Sequence, residues 1–387
     1  MFASVTIILL ICLTGIRLSV ANNSISFDYQ FYIEFIDEVK KAQFSVFIEN
    51  IVSEIPYYPW GDFGKFEFGF AILVYAFPAT LSSNTIYTTI ACASLLWKLE
   101  IMRRFRVPVP VLILFFIFFV TLFESNALRA GVALAFLMAG TWQLVRHGSV
   151  WRASPYFLLS VTFHLSAIIV IGMIILSYIS TLLSISRRVL MAILLIALVI
   201  PINLLQISSL FGGKVAEYVL LADSFDLYTG ASAFNIGSGM ALLFFLFFFV
   251  AIKRGFLDFV TASNSPGQLV VRTGLLLSYT AACLIVFSGA LSIIGGRMWL
   301  LILPIITCLM CLFYTTERPI GGRAMPWFSI AASRQRANGL VIAWIPWLIL
   351  SLVGLYIVVN LLIRYPQSNF FDFLLDRVEV IPPEPVS

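Results

Sequence analysis

Charge is scarce in this chain. Asp, Glu, Lys and Arg make up 11% of 387 residues, whereas 61% are apolar and the mean hydropathy is +1.01. A soluble domain carries about 25% charged residues, and more than half of a folded surface must still face water. That deficit excludes a soluble enzyme and points to an integral membrane protein. Histidine occurs twice, at His147 and His164, and the five cysteines (Cys12, Cys92, Cys283, Cys308, Cys311) all lie in or at the ends of apolar segments. This placement excludes a zinc site built from His and Cys and offers no disulfide framework. Cys308 and Cys311 have CxxC spacing, but no further ligand is near, so they read as small residues of a membrane helix. Walker A and GxGxxG patterns, internal repeats and low-complexity segments are all missing, which leaves nucleotide binding without support. The net charge of +5 comes from short basic clusters between apolar runs, a pattern for loops at a membrane and not for nucleic acid.

What is abundant is hydrophobic length. Apolar segments fall at about 2–20, 84–101, 107–124, 127–145, 152–166, 167–185, 189–207, 236–252, 269–291, 297–314 and 340–363; about 20 residues cross a bilayer. The first resembles a signal peptide, but no basic residue precedes it and Arg17 follows it, so a retained helix is expected; cleavage after Ala21 is the alternative. The segment at 152–166 is short, and is either tilted or partly re-entrant. Dense phenylalanine, as at Phe115, Phe116, Phe118 and Phe119, serves lipid contact or helix packing. Residues 1–363 then form a single transmembrane domain, and 364–387 an outer C-terminal tail.

Orientation follows from the basic clusters at 98–106, 146–152, 187–188, 253–254 and 318–336, which together hold 14 Lys and Arg. The other loops and ends hold nine, over a longer stretch of chain. All five clusters fall on the cytoplasmic side only if 67–82 does not span but lies at the outer interface as a juxtamembrane helix. The expectation is an all-α polytopic membrane protein of about 11 transmembrane helices, with its N-terminus inside and its C-terminus outside. Residues 22–83 form its outer loop, and the stretch YQFYIEFIDEVKKAQFSVFIENIV has helical periodicity that fits an amphipathic helix on the membrane.

Ionisable residues in or beside membrane segments are functional candidates by default. In FESNALRAGVALAF, Glu124 and Arg129 flank the junction of two apolar helices; Ser125 or Asn126 can cap the second, with Arg129 in its first turn. A guanidinium there can grip a phosphate with two hydrogen bonds, or pair with Glu124 to steady the turn. His164 in FHLSA has a side chain able to take a proton from a hydroxyl near neutral pH; the alternative is a histidine that caps a helix or bonds a carbonyl. Arg297 follows Gly295 and Gly296 and opens a helix, where anions are favoured or a lipid head group pairs. Asp28, Glu67 and Glu217 are further carboxylates that either act as base or sugar partners or are simply solvated.

The order of these signals resembles the EpsG-type family of bacterial exopolysaccharide and O-antigen polymerases, the Wzy-like proteins. Arg17, then Asp28 with Tyr32, FEFGF at 66–70, the ALRAGVALAF helix with Arg129, the FHLSA turn and the late Arg297 carry the likeness. LSVANNSISF lengthens the step from Arg17 to Asp28, and Leu165 stands where a proline commonly follows the histidine. The resemblance implies an architecture similar to C-type glycosyltransferases, sited in the bacterial inner membrane with its active face periplasmic. It implies transfer of undecaprenyl-diphosphate-linked repeat units to a growing lipid-linked polysaccharide, with no metal and no cofactor. His164 and Asp28 would be catalytic, and Arg129 and Arg297 would hold the diphosphate. Arg17, Tyr32, Glu67, Glu124 and Glu217 would contact substrate. A chain-length regulator and a flippase are candidate partners. The rival functions are a flippase for the same lipid-linked glycan, and a glycan ligase or acyltransferase.

Overall fold

The structure, a computed structural model, describes residues 29–42, 68–124, 127–182, 241–246, 266–286 and 292–314. These residues contain helices and connecting turns, with no strand among them. Residues 241–246 are helical, and the longer helices are α1 (Tyr29–Lys41), α2 (Phe68–Tyr75), α3 (Ser83–Arg104), α4 (Val109–Phe119), α5 (Leu128–His147), α6 (Val150–Phe163), α7 (Ala167–Leu182), α8 (Pro266–Val286) and α9 (Ser292–Tyr314). A π-helical turn, Val120–Glu124, continues α4. The expected segments at 2–20, 189–207 and 340–363 lie outside the described residues. Of the described helices, Leu128–His147 is long and apolar enough to cross a membrane, and Val109–Phe119, Ala167–Ile179 and Trp299–Leu312 are shorter apolar stretches.

Local sequence sets the helix ends. Pro108 and Pro110 sit at the start of α4, where no intrahelical N–H is needed. Ser82 caps α3, its hydroxyl accepting from the Thr85 N–H at 3.3 Å. Arg103 and Arg104 occupy the last turn of α3, where they complement the helix dipole and share the Glu100 carboxylate. Gly148 ends α5 in the left-handed region at φ 61°, its N–H donating to Leu144 O at 2.7 Å.

Helices α1 and α2, which the sequence places in an outer loop, depart from that expectation in detail. α1 has the expected stripe, with Tyr32, Phe35, Ile36 and Val39 buried and Glu34, Asp37, Glu38 and Lys41 exposed. That stripe packs on protein, however, in a cluster with Phe70, Val74, Ile86, Tyr87 and Ile90 of α2 and α3. Lys40 Nζ donates to Leu81 O and Ser83 Oγ donates to Asp37, which fixes α1 to the start of α3. α2 has eight residues, a rise of about 12 Å, well short of the roughly 30 Å hydrocarbon layer. Gly69 in α2 lets it cross α6 closely: a Cβ there would lie 2.8 Å from Thr162 Cβ and 2.9 Å from Thr162 O.

The larger core joins α3 to α9. Phe115, Phe118 and Phe119 are buried in it, so these phenylalanines pack between helices. α5 packs along α6 and α3, and α8 lies between α7 and α9.

Candidate functional site

The smaller hydrophobic cluster brings one end of several elements together. It contains Tyr32 of α1, Phe70 of α2, Tyr87 of α3, Leu128 at the start of α5 and Phe163 at the end of α6. Arg129 follows Leu128 and His164 follows Phe163, so packing of two apolar residues carries both candidates to the same cluster. Phe163 also stacks on Phe136 of α5, with centroids 5.4 Å apart and planes at 17°.

Arg129 lies in the first turn of α5, half-buried, as the sequence predicts. The cap differs. The N-cap residue is Ala127, which has no side-chain hydrogen bond to give; Ser125 and Asn126 lie outside the described residues. The backbone N–H of Arg129 instead donates to the Tyr32 hydroxyl at 3.3 Å. The first N–H groups of a helix have no partner within it, and here a tyrosine from another helix supplies one. Tyr32, expected to contact substrate, is 3% exposed, with its ring edge-on to Phe70 at 5.5 Å and 5.7 Å from Tyr87. Its place on the apolar stripe of α1 turns it inward, so it braces the Arg129 turn.

Glu124 also departs from expectation. Its side chain is fully buried and pairs with Lys98, with Nζ to Oε1 at 2.5 Å and both side chains at 0% exposure. Neither a substrate contact nor a pair with Arg129 describes it. By sequence Lys98 belongs to the basic cluster at 98–106, but the structure buries it in the interior of α3; without it the five clusters still hold thirteen basic residues against nine in the other loops and ends. Lys98 Nζ donates to Gly131 O at 3.3 Å and stands 4.7 Å and 5.2 Å from the Phe119 and Phe123 ring centroids. Tyr87 Oη donates to the Glu124 carbonyl at 2.5 Å. The π turn at Val120–Glu124 therefore ends in a carboxylate held from α3 at both its backbone and its side chain. A sequence signal existed: two opposite charges, each inside or at the end of an apolar segment, in consecutive helices.

His164 occupies the break between α6 and α7 in an extended conformation, φ −157° and ψ 113°. Its N–H donates to Ser160 O and its carbonyl accepts from the Ala167 N–H, each at 3.0 Å. The backbone is thus fixed from both sides, and the side chain is half-buried at the end of the short helix. That helix runs from Val150 to Phe163, with Pro155 inside it.

Arg297 does not open its helix. α9 begins at Ser292, so Gly295, Gly296 and Arg297 lie within it; the Arg297 side chain is outside what is described. Asp28, Arg17, Glu67 and Glu217 also lie outside the described residues. Among the described residues no group of three or more His, Cys, Asp or Glu is placed to hold a metal ion.

Neither the curated proteins nor the solved structures give a match to this chain. The model of the EpsG family matches residues 2–322, most of the length, with Tyr32, Arg129, His164 and Arg297 all inside the matched span, and the chain belongs to that family.

Proposed function

We propose that this protein is a polysaccharide polymerase of the bacterial inner membrane. It transfers a glycan from undecaprenyl diphosphate to the sugar of another lipid-linked repeat unit on the periplasmic face. The observation that carries the reading is Arg129, half-buried in the first turn of α5 and braced through its backbone by Tyr32, in a chain of the EpsG family. A guanidinium beside a helix N-terminus suits a diphosphate, because positive charge and N–H dipoles act on the same anion.

In the proposed reaction an acceptor hydroxyl attacks the anomeric carbon of the donor glycan. The new C–O bond forms as the bond to the diphosphate breaks. Arg129 and Arg297 hold the departing diphosphate and stabilise its growing charge. His164 orients the acceptor hydroxyl and takes its proton, with Asp28 the rival for that task. Arg17, Glu67 and Glu217 contact the glycan or carrier, while Tyr32 and Glu124 support the site from within. Eleven spanning helices and the inside N-terminus belong to the same proposal.

One observation favours the flippase reading. Lys98–Glu124 is an ion pair in the helical body, and charges at such depth mark many transport paths. Its complete enclosure argues for an internal fastening, since neither side chain reaches a surface.

The test uses cells lacking their own copy and expressing wild type, Arg129→Ala, His164→Ala or Arg297→Ala at matched levels. Surface polysaccharide is resolved by length on a gel. Wild type should give a ladder, and each variant single repeat units, with chain extension lowered about a hundredfold or more. If deletion instead keeps repeat units from reaching the outer face at all, the flippase reading replaces this one.

A further inference from the structure

Among the buried charged groups, the Lys98–Glu124 pair stands apart in its complete enclosure and in what it touches. Both side chains are fully enclosed, and the buried Ser94 hydroxyl stands beside the Glu124 carboxylate. Ser94 lies one helical turn before Lys98 on α3, hence on the same face. Lys98 thus supplies the charge compensation for a carboxylate far from water. Such a pair is a weak device for stability, because desolvation offsets most of the attraction, and apolar residues of similar volume often serve as well. What a buried pair does provide is a direction and a register.

The register here is that of Arg129. Lys98 Nζ bonds Gly131 O at 3.3 Å, two residues beyond Arg129. Gly131 N–H in turn donates to Ala127 O and Ala127 N–H to Phe123 O, each at 2.9 Å, so the turn carrying Arg129 is tied back to the π turn. Gly131 makes room for the pair: a Cβ there would lie 3.2 Å from Lys98 Nζ, 3.3 Å from Glu124 Oε1 and 3.0 Å from Phe123 Cβ. Tyr32 holds the Arg129 N–H from the other side. We infer that Lys98 and Glu124 are positioning residues which, through Gly131 and the π turn, set the first turn of α5 so that Arg129 meets the diphosphate of the lipid carrier. This rests on the proposed role of Arg129.

The experiment uses the full chain in nanodiscs and undecaprenyl diphosphate as the probe, with Kd and Tm measured together. Lys98→Met/Glu124→Leu removes both charges at once, so no unpaired ion remains. The inference predicts a Kd raised about tenfold or more, with Tm within a few degrees of wild type. Gly131→Ala keeps both charges and presses a methyl against them; it should raise Kd severalfold, and it carries the test alone if the double variant does not fold. Wild-type Kd in the folded double variant, or in Gly131→Ala where that variant is the only one folded, overturns the inference. Arg129→Ala in the same assay separates the two claims. If it binds like wild type, the proposed diphosphate role fails; if it loses binding while the folded pair variants keep it, only the positioning role fails.

Discussion

Lys98 shows what a single residue can do when its surroundings, and not its type, decide its role. By sequence it opens a basic cluster; by structure it is sealed against Glu124. Lys98→Met alone leaves a buried carboxylate without its cation, so it should destabilise by about 3–5 kcal/mol. The neutral double variant should recover most of that loss, and thermal unfolding of the three proteins in one detergent gives the comparison. Gly69 offers a second test. Alanine there must push α2 off Thr162, costing about 1–3 kcal/mol and shifting the turn that holds His164, so both Tm and ladder length should fall. His147 sits at the opposite extreme. It is exposed, and slight desolvation, then Arg152 and Arg146, hold its pKa below the usual histidine value. Arg152 Nη1 lies 2.9 Å from its Nδ1, and arginine only donates, so the ring accepts there in its neutral form. A lowered pKa in the folded chain means protonation disfavours the fold only as pH drops below the ordinary value, and His147→Gln should leave the pH profile of polymerisation unchanged. Arg129 was legible because a charge inside an apolar run is conspicuous. The inward turn of Tyr32 was not, because a stripe of apolar residues does not say whether lipid or protein covers it.

Among the described residues, the helices agree closely with the apolar segments. Ser83–Arg104, Leu128–His147 and Ala167–Leu182 fall within a few residues of the runs read from hydropathy. Two other helices differ from those runs at an end. α9 starts at Ser292, so its helix runs through Gly295 and Gly296 before Arg297. α6 stops at Phe163 because His164 takes an extended conformation. Gly148 should be important to α5 and unimportant to activity. A Cβ there meets nothing within 4 Å, so Gly148→Ala carries only the left-handed backbone cost of about 1–2 kcal/mol. The expected result is a lower Tm with a wild-type ladder; a shortened ladder at unchanged Tm would show that this turn has a second role. The π turn was beyond sequence reading, since VTLFE continues an apolar helix and the partners that Glu124 finds on α3 lie far from it in sequence.

For the whole molecule, the helices converge so that a cap of α1 and α2 covers the end where α5 begins and α6 finishes. That arrangement puts Leu128 and Phe163, the chain neighbours of Arg129 and His164, in one apolar cluster although 35 residues of sequence separate them. The family and the all-helical character of the described residues were both readable from composition and motif order. The number of spans rests on hydropathy and charge, and cysteines placed singly in the loops near 146–152 and 22–66 would test it. A membrane-impermeant thiol reagent added outside intact spheroplasts should label the second group and spare the first. Reversed labelling would invert the topology and move the proposed site to the cytoplasm. Polymerase activity is tested by reconstitution of the purified full chain with undecaprenyl-diphosphate-linked repeat units and no nucleotide sugar. A polymerase should give a ladder of lengthening glycans, with undecaprenyl diphosphate released once per linkage formed, and Arg129→Ala should lose both. Intact repeat units with no released diphosphate, from folded wild-type protein, would contradict the proposed activity.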